Sequence, residues 1–116
     1  MPRKFQDALI ERLKDKEYAH AYLSVALETF DEDGNTEAFL TAIRDIAKAQ
    51  GGFSRLADKT HLNRPNLYKQ LSKTGNPSFK TIDTVLNGLG FRLAIEPCQP
   101  NTQATRVYPP FKNLSP

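Results

Sequence analysis

Arg64, Pro65, Asn66 and Lys69 stand close together in the run Asn63-Arg64-Pro65-Asn66-Leu67-Tyr68-Lys69-Gln70. Their shared chemistry is hydrogen bonding to flat polar edges. The Arg64 guanidinium is a fork of donors that fits two adjacent acceptors, as guanine O6 and N7 present. Asn66 offers one donor beside one acceptor, the pairing that adenine N6 and N7 require. Lys69 falls one helical turn further along the same face and brings a point charge to a phosphate or a base. Pro65 has a fixed φ and no N–H to waste, which suits the first turn of a helix. Asn63 is of the type that caps such a helix, and its amide also suits a phosphate. Tyr68 presents a hydroxyl to a backbone from a ring that is half core.

Such side chains read an edge only if a scaffold holds them in line. Phe53 to Ser72 has the pattern of two short helices, roughly 53–59 and 63–73, hinged at Thr60-His61-Leu62. Ala57 is the small residue needed where the second helix crosses the first, and His61 stands where a sharp turn often requires a left-handed residue, a conformation in which His is enriched. Leu56, Ala57, Leu62, Leu67 and Leu71 are the packing set that locks the two helices together.

Charge separates the chain into two parts. Residues 1–50 hold seven Lys/Arg against ten Asp/Glu, a net of −3, and residues 51–116 hold nine against three, a net of +6. A basic half invites an anionic partner, and an acidic half a basic one. Acids normally open helices, because the helix dipole is positive there. Asp7, Glu17 and Glu37 follow that habit, whereas Arg55, Arg64 and Lys80 break it. With Ser54, Asn63, Tyr68, Lys73, Asn76 and Ser78 they form a set of candidate phosphate contacts. Between Glu17 and Ile43 there is no Lys or Arg, and Glu28, Asp31, Glu32, Asp33 and Glu37 gather at one turn. That turn should face away from a phosphate backbone, as a dock for a basic partner.

The remaining elements follow from periodicity. Phe5, Leu9 and Leu13 stripe a first helix over 4–14. Asp15 caps a second, with Tyr18, Tyr22, Val25 or Ala26 and Leu27 inward, ending near Phe30 at the Gly34 turn. Thr36 caps a third, 37–50, with Phe39, Leu40, Ile43, Ile46 and Ala47 inward. Ser78 caps the last, with Phe79, Ile82, Val85, Leu86 and Leu89 inward. Phe91, Leu93 and Ile95 then alternate with Arg92, Ala94 and Glu96, the period of a strand. One strand needs a partner edge, and a second copy of the chain is the simplest source. Residues 97–116 carry five prolines and few apolar residues, and read as a disordered tail in which Val107-Tyr108-Pro109-Pro110-Phe111 is the one sticky spot.

The pattern over 53–72 resembles the lambda-repressor-like (Xre-type) helix-turn-helix family. From Leu13 to Glu96 the stretches "EYAHAYLSVALE", "FLTAIRDIAKAQGGFSRLADKT" and "LNRPNLYKQLSKTGNPSFKTIDTVLNGLGFRLAI" resemble the HigA-like antidote (antitoxin) proteins of toxin–antitoxin modules. Three residues depart from the family pattern: His61 where glycine is common, Phe53 where glutamine is common, and Gln70 where a small or apolar residue is usual. The resemblance implies an all-α, lambda-repressor-like domain over 1–96, of five to six helices, with a C-terminal β-strand (Phe91, Leu93, Ile95) pairing across a homodimer. It implies that Arg64, Pro65, Asn66 and Lys69 lie in the major groove of double-stranded DNA at a palindromic operator. It also implies autorepression of an operon and neutralisation of a small basic toxin of the RelE/ParE type. A prophage-type Cro/repressor without a toxin, and an interaction module that no longer touches DNA, are the alternatives.

Other classes lack residues. Cys98 is the only cysteine, and His20 and His61 lie far from it in sequence. No disulfide, metal site or cofactor is expected, and no Gly-rich phosphate loop or nucleophile triad points to an enzyme. No apolar run is long enough to span a membrane, and the polar N-terminus lacks a signal-peptide core, so a cytoplasmic location is expected.

Overall fold

In a computed structural model the described residues are 3–34 and 36–97, and they form six helices and no strand. They are α1 (Arg3–Arg12), α2 (Lys16–Asp33), α3 (Thr36–Ala49), α4 (Gly52–Thr60), α5 (Arg64–Gln70) and α6 (Phe79–Gly88). Local chemistry sets most boundaries. The Asp15 carboxylate accepts from the Tyr18 N–H at 3.1 Å and starts α2, and Gly34, in left-handed conformation, returns its N–H to the Phe30 carbonyl at 2.7 Å. α2 therefore runs to Asp33 and takes up acids expected in a turn. Thr36 is the first residue of α3 and not its cap.

α3 is the central helix. Leu40, Ala42, Ile43, Ile46 and Ala47 are buried against α1, α2 and α4. Each such Leu or Ile contributes about 1.5–3 kcal/mol by leaving water. On α2 the inward stripe is Ala19, Leu23 and Ala26. Of the expected stripe Ala26 is buried, but Tyr18, Val25 and Leu27 are exposed and Tyr22 is half-buried. Two alanines let α2 lie close on α3, and close approach decides which of two neighbouring stripes turns inward. Phe5 is exposed, and Phe79, at 77% exposure, lies outside the core expected for α6. Phe79 follows the Ser78 cap directly and has no helical turn above it to cover the ring.

A polar knot ties the first three helices. Asp45 is only 6% exposed, and it accepts from Tyr22 Oη at 2.9 Å and from Gln6 Nε2 at 3.3 Å. Burial, then this hydrogen bond and the charge of Asp45, push the Tyr22 hydroxyl well above its ordinary pKa of 10.0. Just past the C-terminus of α3, Gln50 Nε2 donates to the Leu89 carbonyl at 2.8 Å and anchors the close of α6. α6 lies so near α4 that a Cβ on Gly88 would stand 2.6 Å from Thr60 Cγ2.

Residues 91–97 make no strand in the single chain. Phe91 and Leu93 are half-buried while Arg92 and Ala94 are exposed, but Ile95 is fully exposed. No second edge is available to it among the described residues, and an unpaired segment has no ladder to join. Phe91 instead stacks on His20, with centroids 6.4 Å apart, and lies 6.0 Å from Lys16 Nζ. The tail read as disordered lies, from Cys98 on, outside the described residues. No described helix is long and apolar enough to cross a membrane.

Candidate nucleic-acid interface

α4 and α5 are joined by His61, Leu62 and Asn63. His61 closes α4 with φ 60° and ψ 27°, and is the one positive-φ residue other than glycine among the described residues. Thr60 braces the turn: its Oγ1 donates to the Leu56 carbonyl at 2.8 Å and accepts from the Leu62 N–H at 3.4 Å. Asn63 Oδ1 then accepts from the Asn66 N–H at 2.9 Å, with Pro65 in the first turn of α5. The proline sits where its missing N–H costs nothing. Leu56, Leu67 and Leu71 are buried beneath this pair, and Ala57 and Leu62 are half-buried. Phe53 is buried and meets the Tyr68 ring edge-on at 5.1 Å, leaving Tyr68 61% exposed.

With Leu67 turned inward, Arg64, Pro65, Asn66, Tyr68 and Lys69 are all exposed. Arg55, Arg64, Lys69 and Lys80 make no ion pair among the described residues, and the first turns of α4, α5 and α6 hold no acid. Asn66 and Lys69 share a shallow hollow of about 280 Å³ with Gln70, Thr74, Gly75 and Asn76. Gln70 Oε1 is buried without a hydrogen-bond partner among the described residues.

Other candidates go elsewhere. Arg55 and Ser54 are exposed on α4, but Arg55 lines a separate recess with Gln50, Lys59 and Leu89. Lys73 lies beyond the end of α5, which stops at Gln70, and its Nζ stands 3.8 Å from Glu37 Oε2. Ser78 is exposed, yet its Oγ already accepts from the Thr81 N–H at 3.1 Å and donates to Thr81 Oγ1 at 3.0 Å. Asn76 and Lys80 are exposed beside it. The acid-first habit upstream holds for α2 and α3 only, because α1 begins at Arg3 and leaves Asp7 past its first turn.

Sequence reasoning missed Arg44, which ties α3 to the end of α5. Its guanidinium donates to the Leu71 carbonyl at the close of α5 and, at 3.2 Å, to Thr41 Oγ1. A cation on the last carbonyls of a helix satisfies them and complements the dipole. The signal was available: Arg44 is the first cation after Lys16 and sits within an apolar stripe. Thr74, in the hollow with Asn66, carried no such signal. Among the described residues no group of three or more His, Cys, Asp or Glu could hold a metal ion.

The arrangement is a small all-α domain that turns cations and amides outward from one short, braced helix. The chain belongs to the family described as probable addiction module antidote proteins, whose model matches residues 3–97. It is also 37% identical over 86 residues to an uncharacterized protein of Haemophilus influenzae, covering 74% of this chain and 84% of that one. No solved structure matches the chain.

Proposed function

We propose that this antidote-family chain is a DNA-binding antitoxin that represses its own operon and neutralises a small basic toxin of the RelE/ParE type. The carrying observation is α5, whose Arg64, Asn66 and Lys69 are exposed together while Leu67 and Leu71 bind it to the core. In this reading α4 and α5 are a lambda-repressor-like helix-turn-helix. α5 enters the major groove, Arg64 forks onto a guanine, Asn66 pairs with an adenine, and Pro65 and Lys69 lie along the same edge. Ser54, Arg55, Asn63, Tyr68, Lys73, Asn76, Ser78 and Lys80 hold phosphates, Lys73 by exchanging Glu37 for one. A homodimer, paired through Phe91, Leu93 and Ile95, presents two such helices to a palindrome.

The antidote family supports the toxin arm, and the acidic stretch from Glu28 to Glu37 supports a basic partner. Footprinting of the DNA upstream of the chain's own gene tests the DNA arm. It should reveal two protected half-sites about one helical turn (~34 Å) apart, and no protection at low salt would refute that arm. Co-expression with the product of the adjacent reading frame tests the toxin arm. A stable complex that relieves growth arrest is expected, and two separately eluting, non-rescuing proteins would refute it.

A further inference from the structure

The structure leaves an apolar groove of about 300 Å³ between the end of α2, the start of α3 and the start of α6. Leu27, Phe30, Phe39, Pro77, Phe79 and Leu93 are among its walls. Leu27, Phe30 and Phe79 are exposed along it, so the rings on its rim meet water in the described chain. Large exposed aromatics gathered at one groove mark a surface that something covers.

We propose that the occupant is the chain's own segment Val107-Tyr108-Pro109-Pro110-Phe111. Three observations select it. The first is form: aromatic-lined grooves take extended proline-rich peptides, because a Pro-Pro step is already held in a polyproline II conformation and loses little freedom on docking. The second is charge. Arg106 and Lys112 bracket the segment, whereas Glu28 and Asp31 neighbour the lining residues Leu27 and Phe30. The third is reach. Leu93 is itself a wall of the groove, and thirteen residues separate it from Val107. A stretch of that length reaches at most about 45 Å when fully extended, enough to return the segment to the groove as an intramolecular ligand. The docking uses none of the base-reading side chains of α5, but Asn76 and Leu93, assigned above to a phosphate and to dimer pairing, line the same groove, so the test is made on the chain free of DNA and partners.

Paramagnetic relaxation in the full chain, free of DNA and partners, tests this directly. The chain carries Cys98→Ser and Asn113→Cys with a nitroxide on the new thiol, and its Leu, Ile and Val methyl groups are isotope-labelled. The methyl signals of Leu27, Ile82 and Leu93 should lose most of their intensity. They should regain it when Tyr108→Ser and Phe111→Ser are added, changes that lie outside the 3–97 domain. Full intensity from the start, or broadening that survives the two serines, would overturn the proposal. An equal mixture of spin-labelled and isotope-labelled chains distinguishes a second copy: broadening confined to that mixture assigns the groove to another chain's tail. Groove methyls that stay open to a soluble paramagnetic agent at every concentration would leave the surface to a foreign partner. Either result rejects docking within one chain.

Discussion

Replacing Arg44 by Met removes the strongest polar tie between α3 and α5 while keeping a long apolar stem. The wild-type guanidinium serves two acceptors, the Leu71 carbonyl and Thr41 Oγ1. Leu71 itself is fully buried, so its carbonyl is poorly placed to recruit water in exchange. A hydrogen bond from a charged donor is worth about 1.5–3 kcal/mol, and a cation at a helix C-terminus about 0.3–1 kcal/mol. Arg44 is itself only part-buried, so the two terms overlap and solvent screens some of the second. The expected loss is therefore about 2 kcal/mol, or roughly 8–16 °C in Tm at about 4–8 °C per kcal/mol for a domain of this size. Urea denaturation followed by circular dichroism at 222 nm measures it. Arg44→Lys keeps the charge but not the fork, and should recover part of the loss. A change below about 0.5 kcal/mol for Arg44→Met, the range of an ordinary surface substitution, would show that this contact does not hold α5 in place.

His61→Gly should raise stability by roughly 1 kcal/mol, because the left-handed backbone at φ 60° costs a side chain about that much. A lower denaturation midpoint for the glycine variant would contradict that reading of the turn. Gly88→Ala should do the reverse of the usual helical gain and cost about 1–3 kcal/mol by overpacking. The new Cβ meets Thr60 Cγ2 at 2.6 Å, and Thr60 cannot swing away without breaking its bond to the Leu56 carbonyl. Equal or greater stability in the alanine variant would mean that α4 and α6 are less closely held. Tyr22 predicts a pH dependence. Its hydroxyl ionises less readily in the folded chain, so above its ordinary value of 10.0 the unfolded chain binds fewer protons and rising pH favours unfolding. Urea titrations at pH 8 and 11 should show the wild type losing more stability than Tyr22→Phe, and an equal loss would remove Tyr22 as the cause.

What was legible in the sequence was what short-range chemistry decides. Asp15, Asn63 and Ser78 each accept from an N–H three residues on, and such caps depend on little beyond their own turn. His61 was readable for the same reason. The phase of α2 was not, because apolar residues surround much of that helix and only the fit of Ala19 and Ala26 against α3 selects a stripe. Phe79 followed the spacing of a buried face, but no described element arrives to bury it. The strand reading needed a second edge that the described residues do not hold. Arg44 and Asp45 act across long sequence separations, through Leu71, Gln6 and Tyr22, and no window of adjacent residues contains both partners. In the candidate interface, residue types were legible but their grouping was not. Asn66, Lys69 and Asn76 share one hollow, while Arg55 lines another recess and Lys73 turns to Glu37.

In the proposed function α5 reads bases and the cations around it hold phosphates. Fluorescence anisotropy on the chain's own upstream operator and on a scrambled duplex, over a range of salt, measures both for the wild type, Arg64→Ala, Asn66→Ala and Lys80→Ala. Arg64→Ala and Asn66→Ala should each cost about 1–3 kcal/mol on the operator and far less on the scrambled duplex. Lys80→Ala should weaken both duplexes alike and lower the salt slope by about one. If all three variants lose the same affinity on both duplexes, α5 does not read sequence. If the wild type binds neither at low salt, the face formed by α4 and α5 is not a DNA-binding surface.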